Sequence, residues 1–367
     1  TLNINLNFSY SSLYLNLQIK EKNIKRGAII VSKIYFMSKN LSKKTMDPLS
    51  LFILNDGNVF PLIGFGTFRI QGQQKIKMVL DEALKAGYRS FDTAAVYSNE
   101  TDIGDALKEL LPKYKLTRRD IFLTSKLSPS DQGKQLTENA VLTSIHKLQC
   151  EYLDLYLIHW PGSSKLDVSN PNNMKLRTES WASLVKLQKR GMLKSIGVSN
   201  YTVRHIRELI SDCKGVMPAV NQVEWHPHYH QDELMKECKT HGILLQAYSS
   251  LGGSYNKALL SDPDVSDTAK RLGRTVSQVL LRWALQQYIA IIPKAESFIL
   301  HKRLHEFRPN IFIQVYRKIR KSKYILYDAS TITLGRYVCR YFLAAISQDV
   351  RRFKLIVCFR DINTSAK

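Results

Sequence analysis

The stretch FDTAAVY at residues 91–97 decides the fold, because it indicates a short buried strand that ends in an exposed aspartate and a phenol. Polar residues stand at the same place after three later apolar runs of the chain. They are Lys126 after residues 121–125, His159 after residues 153–158, and Ser199 with Asn200 after residues 196–198. Polar side chains at the carboxyl ends of successive strands are typical of a parallel barrel with its site on one face.

Strands and helices alternate on both sides of this stretch, after a hairpin with its turn at Asp56-Gly57. The pattern predicts strands at residues 61–66, 90–92, 121–125, 153–158, 195–198, 219–224, 244–248 and 289–292. Helices are predicted around residues 76–84, 100–111, 141–148, 180–190, 202–210, 231–241 and 276–283. Eight strands over about 240 residues predict an α/β protein of the (β/α)₈ TIM barrel type. A doubly wound sheet is the alternative, but no GxGxxG follows the first strand.

The positive charge of the chain lies mostly at its two ends. The 367 residues carry a formal net charge of +23, of which residues 46–297 contribute +5, residues 1–45 contribute +7 and residues 298–367 contribute +11. We predict a disordered or translated leader at 1–45, the barrel at 46–297, and at 298–367 a basic tail in place of the final helix and substrate loop. For this tail, sequence that never evolved to fold is favoured over nucleic-acid binding.

The cysteines and the apolar runs indicate in which cellular compartment the protein is expected. Five cysteines show no CxxC or other metal-ligand spacing, and an odd number favours a reducing compartment over a disulfide framework. No apolar run approaches the roughly 18 residues of a membrane helix. The first positively charged residue, Lys20, follows the early apolar stretch. In a signal peptide the positive charge comes before the apolar stretch. We therefore expect a cytoplasmic protein without a membrane segment.

The polar strand ends together suit the reduction of a carbonyl group by a nicotinamide. That reaction needs a hydride donor at the carbon and a proton donor at the oxygen. Tyr97 is the candidate proton donor, Lys126 can stabilise its phenolate, and Asp92 can hold Lys126 charged. His159 can position the carbonyl oxygen through a hydrogen bond. Each residue alone is more often a packing or solvated residue, so the hypothesis depends on their occurrence together.

Residues 51–297 resemble the aldo-keto reductase family of NADPH-dependent (β/α)₈ oxidoreductases. The matching motifs, in order, are FDTA at 91–94 with Tyr97, TSK at 124–126, LIHWP at 157–161, IGVSN at 196–200 and IPK at 292–294. The resemblance implies that Tyr97 is the general acid and that Asp92, Lys126 and His159 complete a catalytic tetrad.

The resemblance also implies NADPH as the cofactor and a set of residues that bind it. These are Gly66, Thr67, Ser199, Asn200, Gln222, Tyr248, Ser249, Leu251 and Lys294. Among them, Lys294 matches the cation that faces the adenosine 2′-phosphate, where a positive charge favours NADPH over NADH. Ala295 and Leu300 depart from the family pattern, which has a small polar residue and an arginine at those positions.

An apolar pocket for the substrate is expected above the nicotinamide. Phe68, Val96, Trp160 and the loop at residues 162–178 are the expected lining. The resulting prediction is a monomeric enzyme that reduces a small-molecule aldehyde or ketone to an alcohol with NADPH. Two alternatives stay open, namely a non-catalytic, nucleotide-binding regulatory barrel and a truncated, unstable product of a faulty gene model.

A run of alternating histidines has a spacing that can bind zinc. His226, His228 and His230 lie just beyond the sixth predicted strand. They stand on a predicted loop without a fixed carboxylate, and the family has a histidine and proline there without a metal. No metal is therefore expected at this loop.

Overall fold

The computed structural model describes residues 51–253 and 257–294, and the backbone of three strands near the chain ends. The chain divides into two units, residues 49–326 and residues 1–48 with 327–367. In the second unit, Asn3–Ser9 and Lys354–Val357 each pair antiparallel with Ser12–Gln18. Ala295, Leu300 and the remaining residues of the leader and of the basic tail lie outside the described part, and so do the predictions made for them.

The larger unit is built on a ring of parallel strands. In chain order these are β1 Phe65–Gly66, β2 Ser90–Asp92, β3 Phe122–Leu127, β4 Leu153–Ile158, β5 Leu193–Ser199, β6 Val220–Glu224, β7 Leu244–Tyr248 and β8 Ala290–Ile291. Each strand pairs with the next one along the chain. The ring closes because Ile63, just before β1, forms a parallel bridge with Ile291, and the Gly64 N–H donates to the Ile291 carbonyl at 2.8 Å. The predicted (β/α)₈ barrel is confirmed.

Helices follow the strands and cover the outside of the barrel. They are α1 Gln73–Lys85, α2 Glu100–Lys113, α3 Lys134–Lys147, α4 Asn172–Lys189, α5 Val203–Ser211, α6 Asp232–Thr240, α7 Pro263–Leu272 and α8 Val276–Leu285. Helix α1 shows the common pattern, since Ile76, Val79 and Leu80 are buried one turn apart on the face toward the sheet. Burial of each such side chain stabilises the fold by about 1.5–3 kcal/mol. None of the helices described here is long and apolar enough to cross a membrane.

The structure corrects the predicted elements at four places, of which one is helix α3, which starts at residue 134 and not at 141. The first barrel strand is confined to Phe65–Gly66, because Val59–Pro61 pairs with Leu51–Ile53 in the preceding hairpin. Helix α4 starts at residue 172, not 180, so part of the predicted substrate loop is helical. The first turn of α4 is held by a residue of the preceding loop, because the Ser163 N–H donates a hydrogen bond to Asn173 Oδ1 at 2.9 Å. Helix α7 had no counterpart in the prediction.

The hairpin closes the amino-terminal end of the barrel. Its Phe60 is fully buried and meets the ring of Phe122 edge-on, with ring centroids 5.0 Å apart. These rings belong to an apolar cluster that also contains Leu155, Leu157 and Leu244 from the barrel strands. Since apolar side chains fill this end, the polar residues of the strands gather at the opposite, carboxyl-terminal end.

Candidate active site

A buried ion pair forms the centre of the carboxyl-terminal end. Lys126, on β3, is fully buried, and its Nζ donates to Asp92 Oδ1 at 2.5 Å and to the Thr93 carbonyl at 2.9 Å. The same Nζ lies 3.3 Å from the hydroxyl of Tyr97. Burial acts to lower the pKa of Lys126, but the charges of Asp92 and Tyr97 and the hydrogen bonds to both side chains together outweigh it, so the pKa is raised. The lysine is therefore a cation locked between a carboxylate and a phenol.

Tyr97 comes to this pair on a short turn after β2. The turn covers Ala95–Tyr97 and ends at Ser98 in the left-handed conformation, with φ at 55°. Burial raises the pKa of Tyr97, the charge of Asp92 adds to the rise, and Lys126 opposes it. The lysine thus limits the rise expected from burial without reversing it, so the phenol carries its proton at neutral pH.

His159 lies beside the phenol at the end of β4. The two rings are 5.7 Å apart at their centroids and meet edge to face. Burial, with a smaller effect from the charge of Lys126, lowers the pKa of His159 to about 3. The imidazole is therefore neutral at physiological pH. Its Nδ1 is buried and has no hydrogen-bond partner among the described residues.

A second polar group lies next to the tetrad on β5, β6 and β7. The Ser199 hydroxyl donates to the Gln222 carbonyl at 2.8 Å. Asn200 Nδ2 donates to the His159 carbonyl at 2.9 Å, and its Oδ1 accepts from the Tyr248 hydroxyl at 2.7 Å. These contacts fix the Ser199 hydroxyl, the Asn200 amide and the Tyr248 hydroxyl, and they tie Asn200 to His159.

The other predicted cofactor residues lie on the rim of the barrel. Thr67 is buried, and its hydroxyl donates to the Asp92 carbonyl at 2.9 Å, while the Gly66 N–H donates to the Pro293 carbonyl at 3.1 Å. Ser249 and Leu251 stand on the turn that follows β7. Lys294 is exposed just beyond β8. The structure thus places these residues at the same end of the barrel, around the buried cluster.

The predicted substrate residues form an exposed apolar rim. Phe68, Val96 and Trp160 expose 50%, 48% and 48% of their surface. The Phe68 ring lies 5.0 Å from the Tyr97 ring, and Trp160 stacks beside His159 at 6.5 Å. Large apolar side chains that remain exposed around buried polar groups are typical of a ligand site.

Sequence reasoning missed three residues that hold this site together. Asn99 is buried, and its Nδ2 donates to the Thr67 and Ile70 carbonyls at 3.0 and 2.9 Å, which ties the turn of Tyr97 to the segment after β1. Gln132 Nε2 donates to the Trp160 carbonyl at 2.7 Å. Gln246, on β7, accepts a hydrogen bond from Gln222. Asn99 and Gln132 stand in the segments that follow β2 and β3, whereas Gln246 lies in the middle of β7, so no common sequence signal marks the three.

The alternating histidines have separate partners. His226 lies 3.2 Å from Glu224, and His228 lies 2.8 Å from Asp262. His230 Nδ1 lies 3.1 Å from the Pro227 carbonyl. Among the residues that the structure describes, no group of three or more His, Cys, Asp or Glu side chains is arranged to hold a metal ion.

Comparison with known proteins identifies the family. The family model described as "Aldo/keto reductase family" matches residues 62–306. The chain belongs to the aldo/keto reductase family. Glyoxal reductase of Bacillus subtilis is 40% identical over 242 residues, which are 66% of this chain and 81% of that protein. An NADP-dependent D-sorbitol-6-phosphate dehydrogenase of Malus domestica is 34% identical over 305 residues, which are 75% of this chain and 96% of that protein.

A solved aldo-keto reductase is also similar in structure. The enzyme of Bombyx mori, in complex with NADP, matches with a TM-score of 0.66 and 28% identity, over 75% of this chain and 93% of that one. As a member of the family, the chain is an NADP-dependent oxidoreductase. Its barrel rim fits such a cofactor. The Ser199 hydroxyl and the Asn200 and Gln222 amides can hydrogen-bond a carboxamide, the Tyr248 ring can stack, and the exposed Lys294 suits a phosphate.

Proposed function

We propose that the chain reduces an aldehyde or ketone to an alcohol with NADPH, and that Tyr97 supplies the proton. The observation that carries the proposal is the position of the Lys126 Nζ. It is fully buried and bridges Asp92 and the hydroxyl of the half-buried Tyr97. A structural ion pair needs no phenol as a third member, whereas a proton donor that becomes a phenolate needs a cation beside it.

The residues of the tetrad divide the work in this proposal. When NADPH is bound, it supplies the hydride that adds to the carbonyl carbon. Tyr97 gives its proton to the carbonyl oxygen, and the positive charge of Lys126 stabilises the phenolate that remains. His159, a neutral imidazole, donates a hydrogen bond to the same oxygen and orients it. Asp92 holds Lys126 in place as a cation.

The cofactor would be held along the carboxyl-terminal rim. Ser199, Asn200 and Gln222 would bind the carboxamide, and Tyr248 would stack on the nicotinamide ring. Gly66 and Thr67 would contact the edge of that ring, where a side chain on residue 66 has no room, because a Cβ there would lie 2.8 Å from the Ile292 carbonyl. The other assigned contacts are Ser249 and Leu251 with the pyrophosphate and Lys294 with the 2′-phosphate.

The substrate would enter over the apolar rim of Phe68, Val96 and Trp160. Aromatic or short aliphatic carbonyl compounds fit these side chains. The name of the Bacillus subtilis relative adds glyoxal as a candidate. We further propose that the enzyme acts as a monomer in the cytoplasm, where reduced nicotinamide is available.

The test compares cofactors and substrates on the purified full chain. Consumption of NADPH and NADH is followed with a reactive aromatic aldehyde and with glyoxal. We expect turnover with both aldehydes and a preference for NADPH that Lys294→Met narrows, because the substitution removes a cation at the phosphate. Soluble protein that binds NADPH but turns over neither aldehyde would overturn the proposal.

A further inference from the structure

Two glutamines on neighbouring strands extend the tetrad inside the barrel. Gln222 on β6 and Gln246 on β7 stand opposite each other in the parallel pairing, and both are buried. Gln222 Nε2 donates to Asp92 Oδ2 at 2.8 Å and to Gln246 Oε1 at 2.8 Å. The hydrogen bonds therefore run from Gln246 through Gln222 and Asp92 to the Lys126 Nζ beside Tyr97.

The chemistry of the carboxylate settles how both amides are turned. A carboxylate only accepts hydrogen bonds, so the group of Gln222 that faces Asp92 is its NH₂ and not its oxygen. The second hydrogen of that NH₂ points to Gln246, which must then present its own oxygen. With both hydrogens committed, the Gln222 amide plane is fixed and its Oε1 is turned away from Asp92.

We propose that Gln246 is a positioning residue that holds the Gln222 amide in this orientation for the cofactor. The proposal rests on the function proposed above, in which Gln222 contacts the nicotinamide carboxamide. A carboxamide carries an NH₂ that needs an acceptor, and the fixed Oε1 of Gln222 supplies one. Without Gln246 one buried N–H of Gln222 loses its partner, so the amide turns to find another and the acceptor moves.

Two substitutions at position 246 distinguish the role of the side-chain oxygen as a hydrogen-bond acceptor from the role of the side chain in packing. Gln246→Met keeps the length of the side chain and removes the acceptor, whereas Gln246→Glu keeps an oxygen at the same place. NADPH binding is measured by fluorescence titration of the full chain, without substrate. We expect the Kd to rise about fivefold in Gln246→Met, as for the loss of one net hydrogen bond, and to stay within about twofold in Gln246→Glu. At saturating NADPH, kcat should change less than the Kd does.

Gln278→Met is the matched control on the outer layer. Gln278 is a buried glutamine whose Oε1 accepts from the Thr275 N–H at 3.0 Å at the start of α8. This variant should lower the melting temperature and leave the Kd for NADPH unchanged. If Gln246 had a purely structural role, Gln246→Met would likewise lower the melting temperature and leave the Kd for NADPH unchanged.

The outcomes distinguish this inference from the function on which it rests. Wild-type protein that does not bind NADPH would overturn the proposed function. Wild-type binding with an unchanged Kd in Gln246→Met would overturn the role of Gln246 alone. An equal loss of affinity in Gln246→Met and Gln246→Glu would also overturn it, because the acceptor would then not matter.

Discussion

Lys126→Met should cost the protein far more stability than the loss of a surface lysine. Lys126 is fully buried and bonded to Asp92, so the variant leaves a buried carboxylate without its cation. Such a group takes up a proton instead of staying charged. For an ordinary aspartic acid, with a pKa of about 3.9, uptake at pH 7 costs about 4 kcal/mol. This value falls within the range of about 3–5 kcal/mol that broken buried ion pairs show.

The same reasoning fixes how the loss depends on pH. The folded variant holds a proton that the unfolded chain lacks above pH 4, so its stability rises as the pH falls. The difference from wild type should shrink by about 1.4 kcal/mol for each pH unit, to about 1.5 kcal/mol at pH 5. Urea unfolding of both proteins, followed by tryptophan fluorescence at pH 5, 6 and 7, measures it.

Lys186→Met is the control for this prediction, because Lys186 pairs with Glu138 on the surface with 57% of its side chain exposed. Lys186→Met should lower the free energy of unfolding only slightly, and its difference from wild type should not change between pH 5 and 7. Equal stability of Lys126→Met and wild type at pH 7, or a loss that does not change with pH, would refute the account of the buried pair. Turnover should fall at least about a hundredfold, since the phenolate of Tyr97 loses its cation.

Two further predictions follow from the same structure. Because the pKa of Tyr97 is raised above 10 and that of His159 is lowered to about 3, kcat/KM for reduction should be flat between pH 5 and 9 and fall only as the phenol loses its proton at higher pH. A step near pH 6.5 in the pH–rate profile would contradict the neutral histidine. Gly197→Ala should destabilise the barrel by about 3 kcal/mol in urea unfolding, because its Cβ would lie 2.5 Å from the Val220 carbonyl. Gly162→Ala, whose Cβ would have no neighbour nearer than 3.8 Å, should change stability by less than about 0.5 kcal/mol.

The tetrad could be located from the sequence because the fold places it by a local rule. Asp92, Lys126 and His159 each lie at or next to the carboxyl end of a buried strand, and parallel strands bring such ends together. The alternation of strands and helices was visible as apolar periodicity. The geometry that supports the proposed chemistry, with one Nζ shared by a carboxylate and a phenol, is a property of the folded chain.

The residues that escaped the sequence analysis depend on contacts between distant parts of the chain. Gln222 and Asp92 are 130 positions apart, and nothing local marks Gln246 as their neighbour. Helix α7, by contrast, carries local signals at both of its ends. Asp262 accepts from the Val265 N–H at 3.2 Å as the cap, and Gly273 ends the helix with φ at 60°. Apolar periodicity alone was too weak in a helix of ten residues.

The pKa of Tyr97 shows a different limit. The sequence indicated that Lys126 can stabilise the Tyr97 phenolate, an effect that by itself lowers the pKa of the phenol, but it did not show that burial raises the pKa by more, because burial is set by the whole barrel. In the proposed reaction Lys126 would therefore act on the phenolate that proton transfer leaves behind, while the free phenol keeps its proton.

The most direct test of the proposed chemistry is NADPH turnover by wild type and Tyr97→Phe with a reactive aromatic aldehyde, with the Kd for NADPH measured on both. The account predicts a loss of at least about a hundredfold in kcat, as expected when a general acid is removed, with the Kd retained. Equal turnover by the two proteins would contradict it, because the proton would then come from a group other than Tyr97.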